Sequence, residues 1–141
     1  MDNLTKDELF SIAIRLDLSD LVAFCNTSKK INNLIFLRND VWLYKLKTEF
    51  PEYSNFEIDR TPRKRYNLLY SLRVLKDKLN LKGSLYDIYN QKELWLGNNQ
   101  LTSLPKEIGN LQNLQKLYLF DNQLTSIPET IKQNPKIKIY K

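Results

Sequence analysis

The chain has 141 residues, 22 Lys+Arg against 16 Asp+Glu, a net charge of +6 and 42% hydrophobic residues, which suits one ordinary domain or two small ones that fold. It has no histidine and one cysteine, Cys25. That excludes the commonest general base, an internal disulfide and a Cys/His zinc site, and it fits a reducing compartment. Three glycines do not build a phosphate loop, no paired-carboxylate signature stands out, and no apolar run nears the about 20 residues of a bilayer span. Composition therefore points to a binding protein without metal or cofactor, outside membranes, and away from an enzyme.

The start, Met1–Glu8, lacks the basic and apolar regions of a secretory leader, so a cytoplasmic or nuclear location is expected. Leu4-Thr-Lys-Asp-Glu-Leu9 carries a capping box, with Thr5 as N-cap and Glu8 three residues on, flanked by a Leu4/Leu9 staple. It predicts a first helix running to about Leu16. Ser19 or Asp17 starts a second through Leu21, Val22 and Phe24. Thr27 or Asn26 starts a third through Ile31, Leu34 and Ile35. Asp40 caps a fourth carrying Val41, Trp42, Leu43 and Leu46, which Pro51 ends.

Leu4, Glu8-Leu9, Ile12, Leu16, Ser19-Asp20-Leu21, Ser28-Lys29-Lys30 and Val41-Trp42 together resemble the F-box motif over about residues 3–47. Thr5 stands where that family usually has Pro. The resemblance implies that the first three helices hold the linker protein of a cullin–RING ubiquitin ligase, through Leu4, Leu9, Ile12, Leu18, Leu21 and Lys29. Helix packing alone also produces this Leu and Ile spacing, as a generic four-helix cap.

Glu52–Asp59 reads as a loop, and Thr61-Pro62 as N-cap and first position of a helix. Leu68, Leu72, Leu75 and Leu79 recur on one face of that helix, which is expected to seal the open end of the C-terminal segment. Arg60-Thr-Pro-Arg-Lys-Arg65 is a basic cluster, read either as a phosphate contact or as a solvated helix start. Charge is otherwise spread: residues 1–50 hold seven basic and seven acidic side chains, 51–80 seven and four, and 81–141 eight and five.

Leu94-Trp-Leu-Gly-Asn-Asn-Gln-Leu-Thr-Ser-Leu-Pro105 and Leu117-Tyr-Leu-Phe-Asp-Asn-Gln-Leu-Thr-Ser-Ile-Pro128 are nearly the same sentence, 23 residues apart. The order Leu-x-Leu-x-x-Asn-x-Leu in a period of roughly 20–29 residues is the leucine-rich-repeat signature, and the chain resembles that family. Alternation along a strand turns Leu94 and Leu96 to the core and Trp95 outward. Asn99 and Asn122 end the strands, where an amide can bond unpaired backbone. The repeated positions are therefore structural, and the varied ones face out. These form columns: Glu93 over Lys116, Trp95 over Tyr118, Gly97 over Phe120 and Asn98 over Asp121.

Leu81–Ile88 reads as a preceding half-repeat. Ile137 and Ile139 are expected as a last strand beside Leu117 and Leu119, through a second loop three residues shorter. A strict 23-step would instead align Ile137 with Leu114.

The resulting expectation is an α+β chain: a helical F-box-like bundle (1–50), a linker loop and capping helix (51–80), and a short leucine-rich-repeat solenoid with a small parallel sheet (81–141). This architecture resembles small proteins of giant DNA viruses of amoebae, and that likeness implies a host-cell location. F-box proteins with leucine-rich repeats serve, as a family, as substrate receptors of cullin–RING ubiquitin ligases, and the resemblance implies that role here, with the repeats holding the substrate. The expected partner face comprises Glu93, Trp95, Lys116, Tyr118, Phe120, Asp121 and Tyr140. The rival readings are a stand-alone repeat module with no ubiquitin role, and a basic virion- or nucleic-acid-associated protein.

Overall fold

A computed structural model describes residues 4–56 and 61–141. Met1–Asn3 of the start, Glu57–Asp59 of the expected loop and Arg60 of the basic cluster lie outside the described residues. The chain divides into two compact units, Met1–Asn67 and Leu68–Lys141.

The first unit holds four short helices, each placed by its local capping chemistry. In α1 (Lys6–Ala13), Thr5 and Glu8 form the capping box: Glu8 N–H donates to the Thr5 hydroxyl at 3.2 Å and Thr5 N–H to the Glu8 carboxylate at 2.8 Å. The helix stops three residues short of the expected Leu16. The Leu16 carbonyl is taken by Lys45 Nζ at 2.6 Å, and Asp17 already accepts from Asp20 N–H at 2.8 Å as N-cap of α2 (Leu18–Cys25).

The cap of α3 (Lys29–Ile35) is Ser28, which accepts from Ile31 N–H at 3.2 Å, not Thr27 or Asn26. Those two close the helix before: Asn26 is the C-cap of α2, and the Thr27 hydroxyl donates to the Phe24 carbonyl at 2.7 Å. In α4 (Asn39–Glu49) the N-cap is Arg38, without a side-chain cap. Asp40, expected as the cap, lies in the first turn, where the Arg38 guanidinium grips its carboxyl and holds it below the usual carboxylate range. The helix ends before Pro51, as expected, and a 3-10 turn at Tyr53–Asn55 follows.

The side chains of this unit close around Trp42, which is fully buried and donates Nε1–H to the Phe36 carbonyl at 2.9 Å. Phe36 meets it edge-on at 5.4 Å, and Tyr66 lies tilted against it by 50° at 5.3 Å. Beside them sits one buried cation. Lys45 Nζ reaches Glu49 Oε1 at 2.6 Å, while Tyr66 O–H donates to Glu49 Oε2 at 2.7 Å. Tyr66 lies on α5 (Pro62–Leu79), which starts at Thr61 and Pro62 as expected: Lys64 N–H donates to the Thr61 hydroxyl at 3.4 Å.

The second unit begins with the rest of α5, whose Leu68, Leu69, Leu72 and Leu75 are buried. Leu79, expected on that face, is half-buried. A turn at Gly83 (φ +93°, a conformation L side chains rarely adopt) leads to α6 (Leu85–Asn90), capped by a Ser84/Asp87 box. Three strands follow, β1 (Glu93–Trp95), β2 (Lys116–Tyr118) and β3 (Lys138–Tyr140), parallel and in that order. A 3-10 segment (Lys106–Asn110) returns from β1, and α7 (Glu129–Lys132) from β2. Leu94, Leu96, Leu104, Ile108 and Leu111 bury one layer; Leu117, Leu119 and Ile131 bury the next. No described helix is long and apolar enough to cross a membrane.

Leu94 pairs with Leu117 in the expected 23-step register. The last strand is corrected. Leu117 pairs with Ile139, not Ile137, and Tyr118 with Tyr140. Ile137 takes the buried position that Leu114 holds before β2, and only one residue is lost from the arc.

Asn122 stitches the two repeats. Its Nδ2 donates to the carbonyls of Leu96 at 2.7 Å and Leu119 at 3.0 Å, and its Oδ1 accepts from Leu101 N–H at 2.9 Å and Asn99 N–H at 3.3 Å. The matching Asn99 side chain is exposed and, among the described residues, bonds only its own turn, donating to the Gly97 carbonyl at 3.1 Å.

These polar groups carry two expected stability outcomes. Asn122→Ala leaves turn amides of the preceding repeat unpaired and is expected to cost about 2–3 kcal/mol in urea unfolding, against under about 1 kcal/mol for Asn99→Ala. Equal losses would show that the two amides do the same work. Lys45→Ala strips Glu49 of its buried counter-charge and is expected to cost about 3 kcal/mol by the same assay.

Candidate functional site

The outward face of the three-stranded sheet gathers the varied positions into rows. Parallel strands about 4.8 Å apart put equivalent residues side by side, close to the contact distance of aromatic rings. Trp95 and Tyr118 stack with centroids 3.7 Å apart and planes 10° from parallel. Tyr118 and Tyr140 stack at 4.8 Å and 12°. The corrected register creates this continuous ladder, because it sets Tyr140 beside Tyr118. Phe120 flanks it, 6.2 Å from Tyr118 at a tilt of 38°. Trp95 is 65% exposed, so it does not serve as cover for a neighbouring element. Phe120 and Tyr140 are also exposed.

Gly97 keeps the row beside Phe120 thin. A Cβ there would meet the Phe120 carbonyl oxygen at 3.2 Å, tighter than ordinary contact. The Gly/Phe difference between repeats is thus a packing requirement as well as a surface difference.

A charged row lies beside the rings. Glu93 Oε1 meets Lys116 Nζ at 2.6 Å, and this hydrogen bond with the carboxylate's charge raises the Lys116 pKa above its ordinary value. Lys138 continues the row and is exposed. The register of β3 sets Lys138 beside Lys116 on the candidate face.

Asp121 belongs to this face by position, yet its identity has a backbone cause. Asp121 and its counterpart Asn98 both adopt positive φ, 53° and 57°. Asn and Asp tolerate that left-handed conformation better than other non-glycine residues. The Asn/Asp pair is therefore a constrained position rather than a free one.

The second expected set, on the helical unit, is not brought to one surface. Leu9 is 3% exposed and Leu21 0%, so both are core side chains with nothing to offer a partner. Leu4, Ile12 and Leu18 are half-buried, and Lys29 is exposed. Of these, Leu4 and Ile12 share an open hollow with Asp7, Glu8 and Ser11 on α1.

Residues 92–138 match the family model of leucine-rich repeats, in two copies. The matched span takes in β1, β2 and the start of β3, so it covers most of the aromatic ladder and its charged row. No curated protein and no solved structure matches the chain. Among the described residues, no group of three or more Cys, Asp or Glu side chains is placed to hold a metal ion.

The leucine-rich repeats fix the inward rows and leave the outward rows to vary, subject to the backbone demand at Asn98 and Asp121. Asp121→Val is expected to destabilise the chain by about 1–2 kcal/mol. Asp121→Gly, which accepts positive φ, is expected to stay within about 0.5 kcal/mol of wild type. Thermal or urea unfolding of the two variants distinguishes this from a purely surface role, in which both would be neutral.

Proposed function

We propose that the chain is a protein–protein interaction module whose repeat sheet receives its partner on the Trp95–Tyr118–Tyr140 ladder. The observation that carries this reading is a stack of three aromatics on the outward strand face, with Trp95 and Tyr140 exposed at its ends and Tyr118 half-buried between them. Exposed Trp and Tyr are the side chains most enriched at binding hot spots, and the strand face is the usual binding face of repeat architectures. Glu93, Lys116, Phe120 and Asp121 would form the rim. Two repeats offer a small surface, set against the about 800 Å² per partner of a standard interface. No catalytic step is assigned to this face.

A second reading, the F-box-type ubiquitin-ligase adaptor, is favoured by the open α1 hollow where Leu4 and Ile12 remain reachable. In that reading the helical unit holds the linker protein and the ladder holds a substrate. Its test is binding of the purified chain to a linker protein, with Ile12→Asp as the disrupting variant. Leu9→Asp is unsuitable because that side chain is core.

The test of the main reading is affinity capture from host lysate with wild type, the triple variant Trp95→Ala/Tyr118→Ala/Tyr140→Ala, and Lys132→Ala as a surface control. A partner held by wild type and the control is expected to bind the triple variant at least about thirtyfold more weakly. Far-ultraviolet circular dichroism checks that all three are folded. Capture unchanged in a folded triple variant would remove the ladder from the interface.

A further inference from the structure

Two lysines without counter-charges line one hollow at the entry end of the sheet. Residues 81–141 carry eight lysines, no arginine and five acidic side chains. Four of those five are engaged: Asp87 in the Ser84 box, Glu93 with Lys116, Glu107 with Lys78 and Glu129 with Lys132. The fifth, Asp121, lies past the opposite, exit end of β2. At the entry end, Lys92 and Lys136 are exposed, and their ammonium groups make no ion pair or hydrogen bond among the described residues.

The hollow between them measures about 420 Å³. It is lined by Lys92 ahead of β1, residues 112–115 ahead of β2 and Lys136 ahead of β3. Backbone bonds fix its walls. The N–H groups of Gln115 and Lys116 donate to the Lys92 carbonyl at 2.7 and 3.0 Å, and Lys138 N–H donates to the Gln115 carbonyl at 2.8 Å. Asn113 Nδ2 donates to the Tyr89 carbonyl and to Asn90 Oδ1, both at 3.3 Å, which ties the middle loop to the end of α6. The exposed Gln115 carboxamide has no partner among the described residues, so its NH₂ group can donate to an anion. The hollow lies over the middle coil and makes no use of the outer edge of β3. Lys92 and Lys136 enter it from coils two strand spacings apart, about 10 Å, which is about one screening length at 0.1 M salt. Their fields therefore add over the hollow, and an anion placed there relieves the repulsion between them.

We propose that this hollow is a docking site for an acidic segment of the partner protein, a run of Asp and Glu whose carboxylates lie between Lys92 and Lys136, with the Gln115 amide donating to one of them. The proposal rests on the reading of the chain as a protein-interaction module, and not on the ladder as its face. The chemistry of the cations selects the class of partner. A lysine ammonium is a point charge on a flexible stem, so it accepts carboxylates at loosely set spacings. Phosphate and nucleic-acid recognition draws on the planar fork of arginine, which residues 81–141 lack. The ladder rings also stack on one another, which leaves no gap between them for a nucleobase.

The probe is a fluorescein-labelled octapeptide of alternating Asp and Glu, titrated with the full chain at about 0.1 M salt and read by fluorescence anisotropy. Saturable binding is expected, weakened about tenfold by Lys92→Gln/Lys136→Gln. The double variant Lys82→Gln/Lys106→Gln loses the same net charge from exposed lysines outside the hollow, and is expected to stay within about twofold of wild type. Circular dichroism checks that both are folded. No saturable binding, or equal weakening in the two double variants, overturns the proposal, because general attraction to a +6 chain then accounts for the result. The ladder variant Trp95→Ala/Tyr118→Ala/Tyr140→Ala is expected to keep its peptide affinity; a loss as large as in the hollow variant would place the acidic segment on the ladder and overturn the site. Loss of peptide binding with partner capture intact counts against the hollow alone, so its failure is distinct from that of the ladder. A fluorescein-labelled oligothymidylate of equal charge is the rival probe. Tighter binding of it than of the peptide, lost in the hollow variant, would make nucleic acid the occupant and overturn the partner named here.

Discussion

The side-chain amide of Asn122 is the constraint on which the repeat unit turns. A strand that bends sharply into a turn leaves backbone N–H and C=O groups without ladder partners, and unpaired buried backbone is expensive. One carboxamide carries both a donor and an acceptor, so it can satisfy a carbonyl and two amides of the neighbouring coil at once. Asn122 does this across the repeat boundary, reaching Leu96, Asn99 and Leu101. A carboxylate at this position would supply no donor, and a hydroxyl only one, where Asn122 donates to both the Leu96 and the Leu119 carbonyl. The bonds act between coils, so they set how the second coil sits on the first as well as ending a strand.

Everything on the sheet face descends from that stacking. Holding the coils in a parallel register brings like positions within ring-contact distance, and aromatics at successive equivalents must then stack. Close approach of the coils also limits what can lie between them. A Cβ on Gly109 would sit 2.9 Å from the Thr130 hydroxyl, so glycine there lets the two returning arcs meet. Gly97 plays the corresponding part beside Phe120 on the strand side. The face is thus a by-product of the core's geometry, decorated at the positions the core does not need.

Much of this was legible in the sequence, and the parts that were not share a cause. The 23-residue step, the Thr5/Glu8 box and the Thr61-Pro62 helix start depend on local chemistry that a short window carries whole. The register of β3 does not. In Ile137-Lys-Ile-Tyr140 alternation decides which side chains face inward, but a shift by two residues preserves it, so the pattern cannot choose between Ile137 and Ile139 as the partner of Leu117. The α3 cap failed similarly: Asn26, Thr27 and Ser28 are three good caps in a row, and the choice depends on what the end of α2 consumes. Leu9 and Leu21 illustrate a third limit. A motif marks leucines, yet only packing decides whether they form a core or a surface.

The stacked ladder also bears on how such a small face could hold a partner. Binding orders side chains, at roughly 0.5–1.5 kcal/mol for each flexible one immobilised, and a two-repeat surface has little area with which to offset that. Here the ordering is done in advance. Tyr118 is held on both faces by Trp95 and Tyr140, and the Glu93–Lys116 pair lies in the adjacent row. A partner meeting rings already fixed by one another loses less entropy per contact than one meeting isolated side chains. The same stack leaves Trp95 with an outer ring face at one end of the row and Tyr140 with one at the other. What a partner can still engage is therefore concentrated at the two ends of the row and along its ring edges, and aromatic or cationic groups suit those ends better than aliphatic ones.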